Sequence, residues 1–571
     1  MITSQRRNAL LAGALWLLPL SYLAVFYFYP LTSILAVSFS RVEQSWLEPL
    51  IQIVRSPSIL RILGFTFGQA GLSTLLTLAL GLPAAYLLAR YQFRGKSILQ
   101  ALMGIPFVMP TLVVGAAFNA LLGSRGWINL GLMQMLNLDT PPIQFTNTLT
   151  AILVAHVFYN TNIVLRMVGD FWSHLDPRLE QAARVLGASR WQALRTVTLP
   201  LLLPAISAAA LLVFIFDFTS FGVILVLGGP RFTTLEVEIY YQTVSLFNLP
   251  LAGVLAMLQL ACTLGMTVIY TRLAARLSLP LSIRPQRYAQ RRLSSWRSRL
   301  LAGLMVGLLI SLLLLPLASL AMRSITRLEP ERGERTVQRG LTLDFYRELS
   351  QNQRQSMFYA PPATAIGLSL GYASLTALFA LALGVPSAWA LARDGTSKLN
   401  RLLDPVLMLP VGTSAVTLGL GFIVALDQPP LDLRDSWLLI PLAHTLVAYP
   451  FVVRSLTPAL RSIRPRLHQA GAVLGASPAQ VFARIDLPLI GKAVIVAASF
   501  AFTISLGEFG ATALIARPEY PTLPVAIYRF LSQPGAMNYG QALALSTILM
   551  LITAAGMFAM EHFRVAEIGE F

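Results

Sequence analysis

Among the ionisable residues within segments otherwise apolar enough to cross a bilayer, the groups best placed to do chemistry are the carboxylates Asp217 and Glu508 and the imidazoles His156 and His444. Shifting the numbering by 288 places His156 on His444, Asp217 on Ser505 and Ser220 on Glu508, so each half contributes one carboxylate near the same depth. Ionisable groups in lipid are costly and usually face a bundle interior. Two roles fit the acids: lining a path that attracts a cation, with Ser220 and Ser505 beside them, or tying helices together as protonated or hydrogen-bonded carboxylates. The paired histidines can hold a metal or relay a proton; hydrogen bonding between helices is the plainer role. No Ser-His-Asp set and no zinc-ligand cluster surrounds them, so neither catalysis in the membrane nor a metal site is expected.

Energy for transport would have to come from elsewhere. A phosphate-binding loop of the form Gly-x4-Gly-Lys-Ser/Thr is absent. Its nearest approach, Gly95-Lys96-Ser97, has Arg90 where the first glycine belongs and lies in a tight loop without a preceding strand. Any ATP is therefore hydrolysed by a separate subunit, and this chain binds no cofactor of its own.

The elements that position these residues are membrane helices. The chain has 571 residues, 56% of them hydrophobic and 12% charged, which is too greasy for a soluble protein of this size. About 20 apolar residues span a bilayer core, and twelve such segments can be counted, six on each side of a basic linker. They lie near 9–39, 62–89, 98–122, 148–169, 200–226 and 250–271, then 300–322, 364–392, 402–426, 437–453, 488–515 and 540–560. The first is too long for a cleaved signal peptide and ends without a small-residue cleavage site, so it reads as a helix. Cys262 is the single cysteine, which leaves no disulfide framework.

A net charge of +18 would point to nucleic acid in a soluble protein; here the basic residues sit between apolar segments, where they orient helices, and no nucleic-acid partner is expected. Arg6 and Arg7, then Arg90, Arg94 and Lys96, then the eight arginines from Arg272 to Arg299 all fall on one face. Both termini and the linker are therefore expected in the cytoplasm. The stretch from Arg323 to Arg354 is external on this topology although it holds seven arginines; its acids, Glu329, Glu331, Glu334, Asp344 and Glu348, and its length make it a weak determinant.

The chain is internally duplicated. From 155 to 240 the offset of 288 holds without a gap, and upstream it drifts to about 303, with Ala89-Arg90 on Ala392-Arg393. An even number of helices per half makes the repeat parallel. The boundaries are 1–276 for the first half, 277–299 for the linker and 300–571 for the second half. Within the repeat, residues 179–201 and 467–489 agree at twelve of 23 positions although the text is polar. Leu179, Ala182, Ala183 and Leu186, and Leu467, Ala470, Gly471 and Leu474, recur at i, i+3, i+4 and i+7, one face of a short helix. Arg178, Glu180 and Arg184 lie off that face, Pro177 suits a first turn, and Gly187 and Gly475 suit the C-terminal turn. Each half thus presents a helix-turn-helix knob that can dock in a groove of another protein, or lie on lipid headgroups as an interfacial helix.

These knobs resemble the cytoplasmic loop of the inner-membrane permeases of binding-protein-dependent ABC importers, which reads Glu-Ala-Ala, three residues, Gly, nine residues, Ile-x-Leu-Pro. The pattern falls on Gln181-Ala182-Ala183, Gly187 and Val197-Thr198-Leu199-Pro200, and on Gln469-Ala470-Gly471, Gly475 and Ile485-Asp486-Leu487-Pro488. Gln181 and Gln469 replace the family's Glu, and Gly471 replaces the second Ala. The resemblance implies an all-α polytopic fold of about twelve transmembrane helices, the type I importer permease fold called MetI-like, with coupling loops at about 173–199 and 461–487. It implies as partners two copies of an ATPase subunit gripping the knobs, an extracytoplasmic solute-binding protein and the lipid bilayer, in a bacterial inner membrane. Leu227-Gly228-Gly229-Pro230 running into Thr234-Leu235, and Ser505-Leu506-Gly507-Glu508-Phe509-Gly510 running into Thr522-Leu523-Pro524, resemble the fused permeases for iron(III) and thiamine, and both cargoes stay open. An ion-driven secondary transporter or a non-transporting scaffold are the rivals; neither needs a duplicated cytoplasmic knob.

Overall fold

The computed structural model describes residues 15–39, 55–277, 290–328, 340–351, 361–393, 398–427, 429 and 431–565. Arg6, Arg7, residues 278–289 of the linker and Glu329, Glu331 and Glu334 lie outside them. The fold is almost entirely α-helical; the strands are two-residue pairs, Tyr91–Gln92 with Arg291–Arg292 and Thr326–Arg327 with Gly340–Leu341. Among the described residues nine helices are long and apolar enough to cross a membrane, and two bent pairs bring the total to eleven. The remaining segment, near 98–122, is divided into Lys96–Leu102, Ile105–Val108 and Thr111–Leu122. Pro110 stands at the last break, where its ring cannot continue a helix. Its counterpart in the second half bends by 95° between Lys398–Gly412 and Ala415–Ala425, so the third segment is interrupted in both halves. Leu300, Leu301, Leu304, Leu308 and Leu315 are exposed along Trp296–Ser324, as expected of a helix in lipid.

Two compact units are present. One holds Met1–Pro49, Ile239–Leu260 and Ser324–Phe571; the other holds Leu50–Glu238 and Ala261–Arg323. The repeats read from sequence and the units in space therefore follow different boundaries, each unit taking its first spanning helix from the other repeat. Within the first unit the N-terminal helix is locked by two long-range hydrogen bonds, Tyr22 Oη to Leu442 O at 2.6 Å and Tyr27 Oη with Thr413 Oγ1 at 2.8 Å. Its rings join a core with Tyr372, Leu407, Phe422 and Tyr449.

Inside each unit the second and fourth helices of a repeat pack closely. In one, Pro57–Arg90 crosses Leu149–His174 where a Cβ on Gly81 would sit 2.7 Å from Val164 Cγ1; in the other, Thr364–Arg393 crosses Leu439–Arg461 where a Cβ on Gly384 would sit 2.5 Å from Val452 Cγ1. Bare glycine allows that approach, the usual device of helix pairs in lipid. The same second helices also cap a later one. Thr66 Oγ1 accepts from Leu235 N at 3.1 Å, and Ser369 Oγ accepts from Leu523 N at 2.7 Å.

Gly384→Ala should lower the stability of the purified chain by about 1–3 kcal/mol, the usual cost of overpacking, as read from its thermal unfolding midpoint. Adding Val452→Ala should recover most of the loss, and Gly371→Ala, where no atom lies within 4 Å, should shift nothing. Equal effects at 371 and 384 would contradict the close crossing.

Candidate functional site

Each knob is a short helix closed by a left-handed glycine. Pro177–Val185 begins with Asp176, whose side chain accepts from Arg178 N, and Pro465–Val473 begins at Arg464 without a side-chain cap. At the other end Gly187 (φ +94°) and Gly475 (φ +76°) turn the chain. Ala188 N bonds Ala183 O and Gly187 N bonds Arg184 O; Ala476 N bonds Gly471 O and Gly475 N bonds Ala472 O. These are the paired bonds of the Schellman motif, identical in the two copies. Reciprocal capping boxes then start the second short helix, Ser189 with Gln192 and Ser477 with Gln480. A π-helical turn follows in each, Leu194–Thr198 and Phe482–Asp486, before the spanning helix begins.

This geometry lifts apolar side chains into the open. Val185 and Leu186 are 86% and 89% exposed, Val473 and Leu474 87% and 85%. Leu179, Leu467, Gln181, Ala182, Gln469 and Ala470 are exposed as well, so most of the face read from sequence points outward, while Ala183 is half-buried and Gly471 buried. Leu199-Pro200 and Leu487-Pro488 are exposed where each knob rejoins a spanning helix. Glu180, placed off that face, is half-buried against the body and lies 3.5 Å from the largely buried Arg90. A buried guanidinium needs such a partner.

The second knob is anchored differently. His468 occupies the place of Glu180 and lies 2.6 Å from Asp486 Oδ1, while Trp389 Nε1 donates to Asp486 Oδ2 at 2.9 Å. Gly471, in the place of Ala183, is buried, and a methyl there would press on Ile485 Cδ1 at 3.2 Å and Val481 Cγ2 at 3.3 Å. Sequence reading missed both anchors. The signal available was the substitution of Glu180 by His468 together with that of Thr198 by Asp486 at aligned positions.

The intramembrane residues form two buried ties, one in each unit. His156 Nε2 lies 2.8 Å from Ser220 Oγ and its Nδ1 3.3 Å from Asp217 Oδ1, which also accepts from Asn160 Nδ2 at 2.7 Å. In the other unit His444 Nδ1 lies 2.7 Å from Ser505 Oγ, and its Nε2 lies 2.7 Å from Thr512 Oγ1 and 3.2 Å from Glu508 Oε2. Both rings therefore turn Nδ1 toward position 217 or 505 and Nε2 toward 220 or 508. Acid and hydroxyl have exchanged places between the copies, and the donors have moved with the acid. Asn160, aligned with Ala448, serves Asp217; Thr512, aligned with Ile224, serves Glu508, whose carboxylate also accepts from Ala511 N and Thr512 N. Asp217 and Glu508 are 1% and 7% exposed. Among the described residues no group of three or more His, Cys, Asp or Glu side chains is gathered as a metal site.

A duplicated set of membrane helices bearing two matched knobs defines a polytopic permease, a transport component rather than an enzyme. The sequence matches the family described as the binding-protein-dependent transport system inner membrane component twice, over residues 78–279 and 380–565, and the chain belongs to that family. It is therefore an inner-membrane, multi-pass permease of the binding-protein-dependent ABC importer type, a class that works with ATPase subunits and a periplasmic binding protein. The chain is 25% identical to the thiamine transport system permease protein ThiP of Escherichia coli (strain K12), over 93% of this chain and 95% of the relative. It is 26% identical to the protein of that name from Haemophilus influenzae (strain ATCC 51907 / DSM 11121 / KW20 / Rd), over 95% and 94%. The namesake from Brucella abortus (strain 2308) is 28% identical over 88% and 87%.

Asp217→Ser should strand Asn160 and His156 without their acceptor and cost about 1–3 kcal/mol. Adding Ser220→Glu and Ile224→Thr, which copy both the acid and the hydroxyl donor of the second tie, should restore at least half of that loss in thermal unfolding. A triple variant no more stable than Asp217→Ser would show that the two orders are not equivalent.

Proposed function

We propose that this chain conducts thiamine inward, receiving it from an extracytoplasmic binding protein and driven by two copies of an ATPase subunit seated on the knobs, with both termini in the cytoplasm. The observation that carries the reading is the pair of helix-turn-helix knobs with the same glycine turn and capping box, each offering a Val-Leu tip to water. Thiamine is favoured over iron(III) because the relatives compared are named for thiamine; no observation here supports iron(III). ATP is bound and hydrolysed by the partner subunits, and this chain contributes no cofactor.

Closure of the ATPase pair draws on the knobs, and each knob passes the displacement through its π-turn to the fifth helix of its repeat. Gln181, Ala182, Ala183, Leu199 and Pro200, and Gln469, Ala470, Leu487 and Pro488, form the coupling surface around Gly187 and Gly475, with Gly471 packed beneath it. Asp217, Ser220 and His156, and Glu508, Ser505 and His444, hold the fourth and fifth helices of each repeat in register; on this reading they position the path rather than touch the cargo. An ion-driven transporter would instead need those carboxylates open to its coupling ion, whereas both are buried and accept hydrogen bonds from neighbouring donors.

In vesicles holding the complete complex, ATP should drive uptake of thiamine and not of ferric iron; ferric uptake without thiamine uptake would overturn the cargo. Valine at Gly187 and Gly475 must adopt a positive φ at about 1–3 kcal/mol each. The Gly187→Val/Gly475→Val variant should hydrolyse ATP while thiamine uptake falls about tenfold or more. Uptake at the wild-type rate would show that the glycine turns do not set the coupling geometry.

A further inference from the structure

The space under the two knobs is lined differently in the two repeats. In the first, the Trp172 indole packs on the Tyr86 ring with centroids 5.2 Å apart, and Arg90 is buried beside Glu180. At the aligned positions the second repeat has Leu460 for Trp172, Trp389 for Tyr86 and Arg393 for Arg90. Leucine is far smaller than an indole, and a cavity of about 370 Å³ remains, lined by Trp389, Arg393, Leu460, Arg461, His468 and Asp486 among others.

The polar groups of that cavity have an uneven charge. The two carboxylate oxygens of Asp486 are each taken, by His468 and by Trp389. Arg393, no longer buried as Arg90 is, lies over the Trp389 ring at 5.0 Å from its centroid. Arg461, which stands where the first repeat has Ser173, bonds Leu391 O at 3.3 Å, so that both guanidiniums gather at the C-terminal end of Thr364–Arg393. A guanidinium carries five N–H donors, and Arg461 retains most of them. Two exposed arginines over an apolar floor, where spanning helices end, make the kind of basic pocket that holds phosphate-bearing headgroups.

We propose that this cavity binds a phosphate oxyanion between Arg393 and Arg461, delivered either as the phosphodiester of an anionic lipid or as a small soluble phosphate, and that the first repeat has no such site because Trp172 fills it. The site is independent of the cargo. Occupied, it would brace the second knob against the end of its repeat's second helix while the first knob is braced by the Arg90–Glu180 pair.

The test uses the full chain purified with its ATPase. Retained phosphatidylglycerol is measured by native mass spectrometry after titration from detergent, and labelled pyrophosphate by equilibrium dialysis. Two variants are compared with the wild type: Arg393→Gln/Arg461→Gln, at exposed positions that leave folding intact, and Leu460→Trp, which imports the first repeat's own filler. Thermal unfolding confirms that each is folded. At least one probe should bind the wild type and bind both variants about tenfold more weakly. Loss of phosphatidylglycerol binding identifies a lipid source, and loss of pyrophosphate binding a soluble one. The proposal is overturned if neither probe binds the wild type, if both variants bind as the wild type does, or if Leu460→Trp binds fully while the arginine variant does not, since the anion would then lie outside the cavity.

Discussion

Four apolar side chains held in water, Val185 with Leu186 and Val473 with Leu474, are the constraint around which the rest is built. Each would gain about 1.5–3 kcal/mol by being covered, and a free chain would fold them inward. They stay out because Gly187 and Gly475 reverse the backbone immediately after the helix, and because capping boxes at Ser189 and Ser477 start the next turn at once. A rigid apolar point of this kind suits a partner with a matching groove, which on the function proposed above is the ATPase subunit.

Beneath matched knobs the supports have diverged. One is tied by Arg90 and Glu180, the other by His468, Asp486 and Trp389. The buried histidine ties show the same freedom more sharply, since the acid sits at 217 in one copy and at 508 in the other while both rings keep their orientation. What persists between the copies is one carboxylate and one serine per imidazole, because a buried acid tolerates either position provided that its donors accompany it. The backbone geometry that a partner would grip is kept, and the chemistry behind it is free to drift.

Much of this was legible in the sequence. Composition and run length gave a polytopic helical protein, and the repeated Gly, Leu-Pro and Ser positions gave the knobs, because turn glycines, caps and helix starts are local requirements. The broken third segment was not foreseen: its apolar residues run on past Pro110 and Pro410, and hydropathy does not register a bend. Nor did the pattern decide what the face of Leu179 and Leu186 meets, since an amphipathic pattern says which residues share a face but not whether a partner or the headgroups cover it. The regrouping of each first spanning helix with the other repeat was hidden for a similar reason. It rests on contacts such as Tyr22 with Leu442, 420 residues apart, which no local pattern encodes.

The most direct measurement is retention of the ATPase subunit on the affinity-purified chain when a charge is placed on each tip, Leu186→Glu and Leu474→Glu separately and together. Both positions are exposed, so folding should be spared. The expected result is full retention on the wild type, weakened retention on each single variant and release from the double variant. A double variant that keeps its ATPase and still imports thiamine at the wild-type rate would contradict the claim that these knobs are where force enters the permease.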